Sequence, residues 1–235
     1  MTILLLVGVT AAVVFVAVLL IEGARRPDYD PMYHTGSELE LGERGWVQRA
    51  NFLLMGGGGV LAYSVGVART LNTNVSAVLL AVFGLGLIVA GVFAPDPLRG
   101  YPPGAQSEAP AKLTWQHWVH AVVGGPVAFF ALFAACLTVA GHLEGAWRLY
   151  TVLTAVAGLA LTISTALAFQ KDAAKTGLIN AASSWCTGFG SCCWASISSW
   201  IRPSPDPTGL RLVGSHVGSQ RPGRRSTTAD AAERA

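Results

Sequence analysis

The sequence predicts an all-α fold, a polytopic transmembrane helical bundle of six spans in which the sixth is atypical. Three observations predict it. Hydrophobic residues make up 52% of the 235-residue chain and charged residues only 12%, about half the share a soluble domain carries. The mean hydropathy is +0.48. The apolar residues also gather into uncharged runs, each close to the ~20 residues a helix needs to cross the hydrocarbon core. Together these exclude an ordinary soluble enzyme, a disordered chain and a nucleic-acid binder. The expected setting is a cell membrane, as a multi-pass protein, with membrane lipids as partners, no nucleic acid and no protein partner that the residues identify.

The first span, residues 3–21, is free of charge and has no positive segment ahead of it. It reads as an uncleaved helix rather than a secretory signal. The second, 50–68, contains Gly56, Gly57, Gly58 and Gly59, which would break a soluble helix but allow close helix contact in lipid. The third, 76–94, offers Gly84, Gly86 and Gly91 for the same purpose. The fourth, 119–140, is interrupted by Gly124, Gly125 and Pro126, where a kink is expected. The fifth, 149–169, lies between Arg148 and Lys171.

The sixth, 181–201, is uncharged but crowded with Ser and Gly, and it carries Cys186, Cys192 and Cys193. No His or acidic residue is interleaved with them, so neither a metal site nor a disulfide framework is expected. Its odd composition suggests a shifted reading frame. Cys codons begin TG and the Trp codon is TGG, so reading from each third base turns Cys192-Cys193-Trp194 into Leu-Leu-Gly, the start of an ordinary greasy helix. Sequencing the coding DNA tests this, and an alternative frame without an apolar run would end it. Residues 1–201 thus form the membrane domain. Residues 202–235, rich in Pro, Gly, Ser and Arg, read as a disordered basic tail.

Polar residues concentrate in two loops that alternate topology places at one face, residues 22–52 and 93–120. Lys and Arg near the span ends favour that face over the other, with Arg25, Arg26, Arg44, Arg49, Arg99, Lys112, Lys171 and Lys175 against Arg69, Arg148, Arg202 and Arg211. Simple counting puts it in the cytoplasm. Asp30-Pro31 and Asp96-Pro97 repeat one device, since proline biases the preceding Asp away from helix. His117 and His120 are three apart and share a helix face. With Asp96 they make an acceptable ligand set for Zn²⁺ or Fe²⁺, with His34 and Glu38 as further candidates. Against this stands an interfacial role, because Trp115 and Trp118 alternate with the two histidines where an aromatic belt belongs.

Asp30, His34, Ser37, Glu38, Arg49 and Asn51 form a second candidate set. Ser37 and Glu40 fit a capping box. Arg49 can reach a lipid phosphate, and Asn51 requires a partner at the mouth of its span. Asp28, Asp30, Glu38, Glu40 and Glu43 against Arg25, Arg26, Arg44 and Arg49 read as a balanced, salt-bridged surface. No charged residue falls deep in a span, which disfavours a small-solute transporter. No P-loop, dinucleotide fingerprint, G-x-S-x-G or H-E-x-x-H occurs. The expected role is binding of a lipid headgroup or partner protein through the loops, without a cofactor. The alternative is a lipid hydrolase with Zn or Fe on Asp96, His117 and His120.

The strings YDPMYHTGSELELGERGWVQRANF, GVFAPDPLRGYPPG and TWQHWVH, in that order and spacing, resemble the bacterial integral-membrane family termed domain of unknown function 998. The resemblance covers roughly residues 2–175 and implies a six-helix membrane protein, with no reaction attached. It implies that the recurring polar positions are Tyr29, Asp30, Pro31, His34, Ser37, Gly45, Trp46, Asn51, Phe52, Asp96, Pro97, His117 and His120. Gly177, Leu178 and Ile179 match the usual approach to the last span, whereas Asn180 and Ala181 depart from it.

Overall fold

Among the described residues of the computed structural model, which are 2–106 and 112–186, six helices follow one another, with longer loops at 26–44 and 93–114. They are α1 (Thr2–Arg25), α2 (Gly45–Leu71), α3 (Asn74–Val92), α4 (Trp115–Ala140), α5 (Gly145–Gln170) and α6 (Thr176–Trp185). The first five are each long and apolar enough to cross a membrane. The chain is a multi-pass, all-α membrane protein. Most of the sixth span at 181–201, its proposed frame shift and the tail at 202–235 lie outside the described residues.

The helices outrun the apolar windows that announce them. α2 begins at Gly45 rather than residue 50, and α4 at Trp115 rather than residue 119. Hydropathy falls at Gln48, Arg49 and Asn51 and at Gln116 and His117, but the backbone hydrogen-bond ladder continues through them. These polar first turns carry much of the candidate site. The glycines act as expected of small residues. A Cβ on Gly56 would stand 2.5 Å from the Gly84 carbonyl oxygen, and one on Gly59 the same distance from the Ala11 side chain. Both α2 and α4 widen into π-helical segments, Leu54–Val60 and His120–Val127. In α4 the cause is Pro126, which lacks an N–H, and the backbone kinks at Gly125.

The core lies where α2, α3 and α4 meet. Phe52, Val60, Tyr63, Leu80, Phe83, Leu87, Ala128, Leu132 and Ala135 are buried there. Hydrogen bonds cross between helices, from Ser76 to Thr138 at 2.8 Å and from Thr162 to Ser183 at 2.7 Å. Outward-facing Leu6, Val14, Leu20, Leu149, Leu153 and Val156 are exposed. That is an inside-out arrangement for water and the expected one for lipid.

Candidate functional site

The ends of α1, α3 and α5 and the starts of α2, α4 and α6 share one face of the bundle, and the two polar loops fold over it as a cap. Exposed Trp46, Trp115 and Trp118 lie at this end, as residues of an interfacial belt do. His117 and His120 turn the other way and are buried. The same helical turn thus divides into an outer aromatic face and an inner imidazole face.

The cap is built on a short 3-10 turn, Gly36–Glu40. Its N-cap is Thr35 and the partner is Glu38, so the capping box falls two residues before the expected Ser37 and Glu40. Glu38 Oε2 accepts from the Thr35 N–H at 2.5 Å and from Thr35 Oγ1 at 3.1 Å. Ser37 is half-buried. Arg26 clamps the turn from the end of α1, donating to the carbonyls of Leu39 and Leu41 and to Glu22 Oε2, each at 3.0 Å. Glu22 also receives Arg44. The expected salt-bridged surface is therefore a buried staple, and its acid is Glu22 on α1 rather than a loop carboxylate.

Glu38 and Glu40 are buried too, at 4% and 0% exposure, so they correct the surface reading outright. Leu39 and Leu41 flank Glu40, and all three turn inward together. Two glycines permit the approach. A Cβ on Gly45 would stand 1.8 Å from the Glu40 carbonyl oxygen, and one on Gly177 would stand 2.3 Å from that of His34. α6 docks on the loop by two bonds, from the Leu178 N–H to the Met32 carbonyl at 3.1 Å and from the Gly36 N–H to Asn180 Oδ1 at 3.3 Å.

Neither carboxylate oxygen of Glu40 has a hydrogen-bond partner. His120 Nδ1 is 3.6 Å from Glu40 Oε1, too far for a hydrogen bond. That nitrogen faces the carbonyls of Phe93 at 2.8 Å and Ala90 at 3.2 Å. Carbonyls only accept, so Nδ1 carries the proton. Burial pushes the Glu40 carboxyl up to about 9, against a weaker pull from Arg49. Burial likewise raises Glu38, opposed by the Thr35 N–H, His34 and Arg99. Gln48, one turn into α2, is fully buried and leaves its Nε2 without a partner. Asn51 finds the partner it requires, donating to the Phe15 carbonyl at 3.0 Å and to Gln48 Oε1 at 3.3 Å. Arg49 is exposed at the same mouth.

The two Asp-Pro steps are one device in three dimensions. The Asp30 N–H donates to His34 Nδ1 at 2.9 Å, and the Asp96 N–H donates to His117 Nδ1 at 3.1 Å. Both carboxylates then pin a later turn. Asp30 Oδ1 accepts from the Met32 N–H at 2.8 Å. Asp96 takes the Thr114 N–H at 2.6 Å and its hydroxyl at 2.7 Å. Thr114 in turn caps α4 by accepting from the His117 N–H.

This wiring occupies the Asp96 carboxylate and one ring nitrogen of each histidine. Asp96 is spent on Thr114, His117 presents Nδ1 to a backbone amide, and His120 presents Nδ1 to two carbonyls. Among the described residues, no three His, Cys, Asp or Glu are grouped so as to hold a metal ion.

Arg99 was not singled out by any motif, yet it joins loop two to loop one. Its Nη2 donates to the Tyr33 carbonyl at 2.9 Å and its Nε to Asp172 Oδ1 at 3.2 Å. The guanidinium lies 3.7 Å from the centre of the Tyr33 ring and 5.0 Å from that of Phe169. Its side chain is 7% exposed, and Nη1 has no partner. Arg99 holds a φ of +61°, a conformation a non-glycine residue rarely adopts. Arg26 had a legible signal, its i,i+4 spacing from Glu22. For Arg99, Gln48 and the burial of Glu40 there was none.

The family model described as Protein of unknown function (DUF998) matches residues 9–201. No curated protein and no solved structure matches the chain.

Proposed function

Because the chain belongs to the DUF998 family of integral membrane proteins, we propose that its loop cap binds the polar headgroup of a membrane lipid. One observation carries this reading. Among the described residues, five buried side-chain atoms lack a hydrogen-bond partner, and all five belong to the cap and its mouth: Glu38 Oε1, both Glu40 oxygens, Gln48 Nε2 and Arg99 Nη1. Folded proteins leave few such atoms, and a buried polar atom costs about 1–3 kcal/mol when unpaired. Their concentration at one face, beneath exposed tryptophans and beside lipid-facing helices, suits a ligand that brings donors and acceptors into a buried site.

The test is lipid retention. The protein is purified in detergent, washed through graded delipidation, and its bound lipids are identified by mass spectrometry. A stoichiometric lipid should survive on the wild type and be lost from a Glu38→Gln, Arg99→Gln double variant of unchanged helicity. Equal retention by both, or none by the wild type, would remove the reading. A metal-dependent hydrolase draws no comparable support, since among the described residues no three His, Cys, Asp or Glu are grouped as metal ligands and the Asp96 carboxylate is taken up by Thr114. Transport draws none either, for the orphaned atoms lie at one face and not along the bundle.

A further inference from the structure

We propose that Glu38 and Arg99 are the two poles of a site for an ammonium–phosphate zwitterion, the headgroup chemistry of an aminophospholipid. This rests on the headgroup reading above and names its ligand class. Each pole is held rigidly with one atom unused. Arg99 is fixed through Nε and Nη2 and between two rings, which leaves Nη1. Glu38 is fixed through Oε2 by Thr35, which leaves Oε1. Both poles are anchored on one stretch of loop one, Arg99 at the Tyr33 carbonyl at 2.9 Å and Glu38 at the Thr35 N–H, yet neither free atom is the other's hydrogen-bond partner. His34 also bears on Glu38, and its ring packs 5.0 Å from that of Tyr33, beneath the guanidinium. An unlike pair that is desolvated and not joined is costly unless something completes both halves.

The chemistry of the poles narrows the ligand. A simple anion would satisfy Arg99 but meet the Glu38 carboxylate in a buried site. A simple cation would satisfy Glu38 but meet Arg99. A headgroup carrying both charges satisfies both, with phosphate oxygens accepting from Nη1 and an ammonium donating to Oε1. A trimethylated ammonium has no N–H to donate, so the primary amine is the form that fits.

The full-length protein is titrated, by native mass spectrometry, with short-chain phosphatidylethanolamine, phosphatidylglycerol and phosphatidylcholine, and with soluble O-phosphoethanolamine. The ethanolamine lipid should bind about tenfold or more tightly than the other two, the scale of one charged hydrogen bond. Glu38→Gln keeps an oxygen for Thr35 and should erase that preference while leaving glycerol-headgroup binding intact. Arg99→Lys should weaken all phosphate headgroups alike and keep the preference, which supplies a second reading if Glu38→Gln fails to fold. Binding of O-phosphoethanolamine would assign recognition to the headgroup alone, and binding of the lipid only would add a need for acyl chains. Both support the proposal. Equal binding of ethanolamine and glycerol lipids, or a preference untouched by Glu38→Gln, overturns it but spares the headgroup reading. No binding of any headgroup, as when a water alone bridges the poles, ends both.

Discussion

Glu40→Gln should stabilise the protein, and by an amount that grows with pH. Glu40 is fully buried, and burial moves its carboxyl from the ordinary value of 4.5 to about 9. A folded state that holds a proton more tightly than the unfolded one loses relative stability as pH rises between those two values. Below 4.5 both states are protonated and there is no differential. Through the window each pH unit costs about 1.4 kcal/mol, so at pH 7 the accumulated cost is about 3 kcal/mol. Above about 9 the folded carboxyl ionises as well and the cost levels off. Glutamine has nearly the same shape and cannot ionise, so the difference between variant and wild type isolates this one group. SDS-driven unfolding in mixed micelles, followed by tryptophan fluorescence and repeated from pH 5 to 9, reads it directly. The stability difference should climb steadily in favour of Glu40→Gln. A difference that is flat across that range would mean Glu40 is solvated or firmly paired, and the argument from its burial would fail.

Three other perturbations test how the cap is held. Gly45→Ala should destabilise by about 1–3 kcal/mol, the range for overpacking, because its Cβ would stand 1.8 Å from the Glu40 carbonyl oxygen; the SDS midpoint measures it. Asn51→Leu should cost about 0.6–1.7 kcal/mol, the span measured for interhelical hydrogen bonds in membranes, and it should free the Phe15 carbonyl for faster amide exchange nearby. Imidazole ¹⁵N shifts should show neutral His34 and His117 protonated at Nε2, because each Nδ1 accepts from an Asp N–H. His120 should be protonated at Nδ1, and a common tautomer for all three would refute that wiring.

The bundle was legible because its signal is collective. Runs of ~20 uncharged residues leave a chain little choice but a spanning helix, the small-residue contacts at Gly56 and Gly84 follow from side-chain size, and the kink at Gly125 follows from Pro126. The span ends were misjudged where Gln48 and His117 interrupt apolarity without interrupting the ladder. The site was legible by residue and not by partner. Asp30, His34, Glu38, Asn51, Asp96, His117 and His120 all sit at one face, but spacing alone said that His117 and His120 share a face with Asp96 near. It could not say that the Asp96 backbone amide, and not its carboxylate, is what meets His117. Glu40 looked like one charge among many because its burial depends on the absent side chain of Gly45 and on Arg26 clamping the turn, neither of which is a local property.

That division has a physical consequence for where function resides. In the bundle, each helix satisfies its own backbone, and the few interhelical polar contacts, such as Ser76 with Thr138, are closed pairs. Among the described residues, the buried side-chain atoms without a partner lie in the cap and at the mouth of α2. In the cap, Arg26 uses all three of its nitrogens on Glu22 and two carbonyls and Asp96 spends both oxygens on Thr114. Other side chains of the cap and its mouth keep atoms unspent under the same burial. A loop whose anchors are saturated and whose remaining polar atoms are not has already met the cost of its own shape. The residual cost at Glu38, Glu40, Gln48 and Arg99 is then attached to whatever completes them. Removing an anchor should therefore unfold the cap, whereas neutralising an orphan should leave it folded and, for Glu40, more stable. A cap in which Glu40→Gln and Arg26→Gln both destabilised to the same degree would be held together by all of its charges alike, and no part of it would be reserved for a ligand.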